Sequence, residues 1–339
     1  MQDPIEAVLR SSGPAGPPGA SAREVAPPRS YDAAPPSGAL VVYAWLAVLG
    51  ALVTGLMILL DPREVAGEPL WLKPTKFFLS SAIATATVEW ILRRSGLRSR
   101  LQDVCRAIIA WGMGVEMVII CAQAARGVRS HFNFATSLDA VLFSVMGLVI
   151  TGVVVAMGVA VVSAIGAGSR LTRSERMAAR WGIGLFVAAA FLGNLMVRVT
   201  PAQRAVDSAG GWPAERGSHF VGSVEGATRT LPITGWSRES GDLRVPHFVG
   251  MHGIQVLMIV VAWLRWRGWS MDDASTARRV AALGVWMTLF WGVTLGQALG
   301  GRSLVEPGVW RAILLVTIGV GLGIVASLVG TRRGKVVVA

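Results

Sequence analysis

Eight long apolar runs dominate the chain, near residues 39–60, 75–92, 104–125, 138–165, 178–198, 247–264, 280–300 and 309–330. A helix rises about 1.5 Å per residue, so runs of this kind reach across roughly 30 Å of hydrocarbon. None alternates polar and apolar residues with the period of a membrane strand. Backbone polar groups in lipid must be satisfied internally, and only a helix does so within one segment. The runs therefore predict an all-α fold, a polytopic integral membrane bundle of eight transmembrane helices in contact with the lipid bilayer. Composition agrees: 53% of the 339 residues are hydrophobic and 15% are charged, against about 25% charged in a soluble domain. An ordinary soluble enzyme and a disulfide scaffold are excluded. Cys105 and Cys121 fall on one predicted helix, about 24 Å apart along its axis, too far to bridge each other.

Residues 1–38 hold half of the 16 prolines. They read as a disordered, Pro/Gly-rich cytoplasmic tail. Residues 39–330 form the transmembrane domain, and 331–339 a basic cytoplasmic tail. The net charge of +12 would suggest nucleic acid in a soluble protein. Here the basic residues sit in short loops: Arg93 to Arg100, then Arg170 to Arg180, then Arg265 to Arg279, then the TRRGK tail. With eight spans all four fall on one side, which the positive-inside rule makes the cytoplasm. No nucleic-acid partner is expected. Both termini are then inside, in the cell (inner) membrane, and the long loop 199–246 lies outside. Loops of that length are uncommon and often functional.

The chemistry-bearing residues gather toward the outer ends of the runs. Glu116 lies well inside run three, where an ionisable group is costly and usually functional or paired. Gln123 is about 20° from it on the helical wheel, and Arg126 and His131 follow. Lys73 and Lys76 crown the start of run two in WLKPTKF, next to the positive end of a helix dipole. His247, Gln255 and His252 fall at about 0°, 80° and 140° on run six, one face of a continuous helix. The glycine stripes Gly292–Gly296–Gly300 and Gly319–Gly323 read as helix-packing surfaces. No Walker loop, HExxH, CxxC or GxSxG context is present.

Lys73, Lys76, Glu116, Gln123, Arg126, His131, His247, His252 and Gln255 thus outline a polar ligand pocket in the outer half of the bundle. Its expected ligand is haem b, a quinone or a small anion. In the haem version His131 and His252 are the iron ligands, since histidine is the commonest haem ligand. The alternative is a proton-linked small-solute transporter using Glu116. A second alternative is a structural or assembly membrane protein without small-molecule chemistry.

Overall fold

The computed structural model describes residues 38–222, 229–266, 272–306 and 308–329. Of the two tails expected from the sequence, 1–38 and 331–339, all but Gly38 lies outside the described residues. Among those described the chain is helical. The long helices are α1 (Ala39–Leu60), α2 (Leu72–Ser95), α3 (Arg100–Ala125), α4 (Ser137–Ala164), α5 (Arg173–Met196), α9 (Asp273–Leu299) and α10 (Val309–Val329). The shorter ones are α6 (Pro201–Ser208), α7 (Arg244–Met251) and α8 (Gly253–Trp266). Two antiparallel ribbons complete the elements: β1 (Glu64–Val65) with β2 (Glu68–Pro69), and β3 (Phe220–Val221) with β4 (Gly241–Asp242).

Six helical segments are long and apolar enough to cross a membrane: Ala39–Leu60, Arg100–Ala125, Ser137–Ala164, Arg173–Ser208, Arg244–Trp266 and Asp273–Leu299. The protein is thus a helical, multi-pass membrane protein by length and composition. The other two expected runs are also helices, but they fall short of that standard for different reasons. Polar Lys73, Lys76, Ser80, Ser81, Thr85, Thr87 and Glu89 dilute the hydropathy of α2. In α10 the apolar stretch Val309–Val325 is shorter.

Local sequence explains the helix starts. Ser99, Thr136 and Asp272 each accept a hydrogen bond from the backbone N–H three residues on. Thr172 with Glu175, and Thr200 with Gln203, form complete capping boxes. These side chains satisfy amides that the helix itself leaves orphaned. Gly96 ends α2 in the left-handed conformation, φ 67°, which glycine adopts without a Cβ clash.

α1 packs on α2, α3 on α4, α5 on α7, α8 and α9, and α10 on α9. The main core joins Val88, Ile109, Met157, Phe186, Leu257 and Leu283 from different helices. Close approach is carried by glycines other than the expected stripes. A Cβ on Gly182 would lie 2.5 Å from the Ile254 Cα, so the backbones of α5 and α8 approach closely there. Gly250 meets Ala189 and Trp291 in the same manner. Of the expected stripes, Gly296 faces Trp310, but Gly292, Gly319 and Gly323 have nothing within 4 Å. The outward faces carry large apolar side chains, among them Leu52 at 68% exposure, Val118 at 69% and Leu148 at 77%. Such surfaces suit a lipid solvent and no aqueous one.

One end of the bundle is tied by buried ion pairs. Glu89 accepts from Arg93 Nε at 2.7 Å and from Arg106 Nε at 2.8 Å. Glu175 accepts from Arg94 Nε at 2.9 Å and also from Arg265. Asp273 caps the start of α5 through the Arg173 and Ser174 amides, at 2.6 and 3.1 Å. The network joins α2, α3, α5, α8 and α9. The i,i+4 pair of Glu89 with Arg93 is therefore one arm of a larger clamp.

Candidate functional site

At the other end of the bundle, the connection between α3 and α4 is clamped by the segment after α5. Arg216 N donates to Phe132 O at 3.1 Å, and Phe134 N donates to Ala214 O at 2.8 Å. Gln203 holds Gly217 from both sides, at 3.0 Å to its carbonyl and 2.9 Å from its amide. Leu243 N donates to His219 O at 2.9 Å, which continues the β3–β4 ribbon. The 199–246 connection is therefore largely hydrogen-bonded structure among the described residues; residues 223–228 lie outside them. Phe132 pays for its position with a left-handed backbone, φ 60°, uncommon for a bulky residue and typical of functional or over-determined places.

That turn carries His131. Its Nδ1 lies 3.2 Å from Lys73 Nζ and 3.1 Å from Ser130 Oγ. With Lys73 as an ammonium, which has only protons to offer, Nδ1 accepts and the ring proton sits on Nε2. Phe77, Phe132 and Phe143 surround the imidazole at centroid distances of 5.8, 6.2 and 5.8 Å. The Phe132 ring stands between His131 and His219, 4.8 Å from the latter. Burial, with the positive charge of Lys73 next, holds His131 well below its ordinary pKa. Burial, followed by Arg244 and Lys73, does the same to His219. Both rings are neutral donors and acceptors at physiological pH.

The cations around them differ in one respect. Arg129 pairs with Glu215 at 2.6 Å, Arg244 with Asp242 at 2.7 Å, and Lys76 with Glu68 at 3.5 Å. Lys73 has no carboxylate within 4 Å among the described residues; its contacts are His131 and the Phe77 ring at 5.7 Å. Arg129 and Arg244 both act on His219 together with Lys73. The result is three ion-paired cations and one lysine without a carboxylate partner beside neutral imidazoles.

The other residues expected in the pocket have separate occupations. Gln123 and Arg126 converge on Asp139, at 2.8 and 2.7 Å, and the Thr136 hydroxyl also donates to it at 2.7 Å. That closed network fastens α3 to α4. Lys76 is tethered to the Ile233 carbonyl at 3.0 Å as well as to Glu68. His247 donates Nδ1–H to the Ala189 carbonyl at 2.7 Å. His252 is the C-terminal cap of α7, at a break before α8, and lies against Phe248 at 4.3 Å. Flanking Gly250 and Gly253 weaken the helix at that point, so the single-helix wheel does not apply. The Gln255 amide, nitrogen turned to the backbone, donates to the Met251 and His252 carbonyls at 3.0 Å. Glu116 is 5% exposed in the α1–α2–α3 cluster, and its Oε1 has no hydrogen-bond partner.

Sequence reasoning missed Asp139, Asp242 and the involvement of Arg129 and Arg244. Thr136 three residues before Asp139 is a capping signal that could have placed the buried carboxylate. No group of three or more metal-ligating His, Cys, Asp or Glu residues occurs among the described residues. Two clefts open on the bundle's sides instead. One of about 400 Å³ lies between α5 and α9, lined by Arg180, Trp181, Leu185 and Trp291 among others. One of about 490 Å³ involves Leu101, Val155, Val162 and Phe191. Neither is lined by Glu116 or by a histidine. Comparisons of the chain with protein-family models, with curated proteins and with solved structures found no match.

Proposed function

We propose that the protein binds a small oxyanion, free or as the head of an anionic lipid, at the Lys73–His131 site. The observation that carries this reading is the unpaired Lys73 ammonium held 3.2 Å from His131. A cation in a partly buried aromatic setting gains most from a charged acceptor. The neutral Nε2–H of His131 adds a donor, while Arg129, Arg244 and Lys76 are each held by a carboxylate of their own. In this reading eight helical segments span the cell (inner) membrane, both termini are cytoplasmic, and the site faces outward beneath the 199–246 connection.

The haem and quinone versions of the same pocket draw less support. The Nδ1 of His131 is engaged by Lys73 and Ser130, and His252 sits with Phe248 on the α7–α8 junction. Proton-linked transport is favoured by one observation, the unpartnered carboxyl of Glu116.

Sulfate titration of the purified protein tests the anion reading. Saturable binding is expected, weakened about tenfold or more in Lys73→Gln, the loss of one charge-assisted bond. Nanodiscs of phosphatidylcholine alone and with phosphatidylglycerol distinguish the two sources. Competition by phosphatidylglycerol identifies the lipid head; sulfate binding indifferent to it identifies the free anion. No saturable binding in either bilayer overturns the reading.

A further inference from the structure

On α5 the ionisable residues Arg173, Glu175, Arg176 and Arg180 fall in the first turns, and the next along the chain is Arg198. The 18 residues from Arg180 to Arg198 amount to about 27 Å of helix, close to the ~30 Å thickness of bilayer hydrocarbon. Arg180 therefore stands at the level of the lipid head groups, at the Glu175 end of the bundle, and α5 beyond it runs in hydrocarbon. The buried acids of that end are already taken. Glu89 holds Arg93 and Arg106, and Glu175 holds Arg94 and Arg265, while Asp273 caps the α5 amides. Arg180 is exposed and has no hydrogen bond or ion pair among the described residues.

The cleft of about 400 Å³ between α5 and α9 includes this arginine. Arg180, Gly184 and Ala188 follow one another at four-residue spacing on an exposed face of α5. They cover about 12 Å along the axis, within the ~15 Å of hydrocarbon in one leaflet. Trp181, Leu185 and Trp291 wall the cleft. Trp181 is pressed on α9, where a Cβ on Gly284 would lie 2.5 Å from its Cγ. The Thr288 hydroxyl is turned back to the Gly284 carbonyl, at 3.0 Å. A Cβ on Gly184 would meet nothing within 4 Å, so the floor of the cleft is open space. The cleft thus joins a cation at head-group level to an apolar channel at chain level.

We propose that this cleft binds one anionic phospholipid of the leaflet at the Glu175 end, with its phosphate on Arg180 and an acyl chain along Gly184 and Ala188. A guanidinium pairs a phosphate through two parallel hydrogen bonds. Basic pockets between spans are a recurrent setting for anionic head groups. A zwitterionic lipid brings its own ammonium, which competes with Arg180 for the phosphate, so the site favours net negative charge. It lies at the opposite end of the bundle from Lys73 and does not depend on the anion reading above.

The test titrates lipid onto the full chain and counts retained molecules by native mass spectrometry. All proteins carry Lys73→Gln, so that binding at the other end is not counted. Phosphatidylglycerol is expected to bind about tenfold more tightly than phosphatidylcholine, the scale of one charge-assisted contact. Arg180→Gln is expected to bring phosphatidylglycerol down to the phosphatidylcholine level. Gly184→Leu, which fills the open space and improves helix propensity, is expected to weaken both lipids. Either variant keeping full phosphatidylglycerol affinity overturns the proposal. A Gly184→Leu protein that passes from dimer to monomer with lipid binding unchanged puts a second copy of the chain in the cleft instead. A further measurement needs no variant: phosphatidylglycerol with a photoactivatable diazirine on its acyl chain. Adducts are expected to concentrate in Trp181–Ala188 and Thr288–Trp291. Adducts spread evenly over the exposed faces of α1 and α4 as well overturn the site.

Discussion

Lys73 and His131 stand 58 positions apart in the chain and meet at 3.2 Å. The first turn of α2 presents the lysine, and the turn between α3 and α4, fastened by Arg216 and Ala214 backbone bonds, presents the histidine. The contact fixes the tautomer of the ring and leaves the ammonium without a carboxylate. Every functional proposal made for this end of the bundle depends on that pair.

The neutrality of His131 and His219 has a consequence for stability. Burial lowers both pKa values well below the ordinary 6.5. Below pH 6.5 the unfolded chain binds protons that the folded chain refuses, so folding free energy is lost as pH falls through that value. The melting temperature of the purified protein is expected to drop between pH 7.5 and pH 5.5. Replacing both residues by Asn is expected to shrink that drop. An unchanged pH dependence in the double variant would show that these rings ionise freely in the fold.

At the opposite end Glu175 has two cationic partners, so one can cover for the other. Arg94→Ala and Arg265→Ala are each expected to lower the melting temperature by about 2–4 °C, roughly 1 kcal/mol. The double variant leaves a carboxylate that is 1% exposed with no partner arginine and should cost about 3–5 kcal/mol. Additive melting shifts would mean that the two arginines do not share Glu175.

The helices were legible because lipid imposes long apolar runs; the expected run 39–60 and helix α1 coincide. Run two was legible as a helix, although its polar face makes its hydropathy poor. The partners of its lysines were not legible, because Glu68, His131 and Ile233 reach them through turns whose geometry no period encodes. Gln123 and Arg126 share a helix with Glu116, and that proximity in sequence suggested a common pocket. Asp139, on the next helix, draws both of them away. Such tertiary competition for a side chain leaves no trace in spacing. The break at His252 was partly visible in its flanking glycines, yet the apolar run continues through it.

Arg126 provides a control for the binding site. Its guanidinium pairs with Asp139 at 2.7 Å through Nη1, and its bonds go to Asp139 and Gln123, away from Lys73. Arg126→Gln is expected to leave sulfate affinity within about twofold, while lowering the melting temperature by a few degrees, the effect of one partly exposed pair. A tenfold loss of affinity without loss of stability would return Arg126 to the site and show that the Asp139 network opens when ligand arrives.

Sidedness decides where the ligand comes from. Arg94, Arg106 and Arg265 surround Glu89 and Glu175 at one end, and Arg98, Arg100, Arg170 and Arg173 crowd the same connections. The positive-inside rule makes the cytoplasm the expected side of that end, and the outside the expected side of the Lys73–His131 end with its ribbon and α6. Reporter fusions after Arg98 and Arg173 are expected to show cytoplasmic activity, and fusions after Ser208 and Arg238 extracytoplasmic activity. A cysteine placed at Ser208 should react with a membrane-impermeant maleimide in intact cells, while one at Arg98 should react only after permeabilisation. The reverse pattern would turn the bundle over, place the anion site in the cytoplasm, and make a cytosolic oxyanion or inner-leaflet lipid the ligand to test.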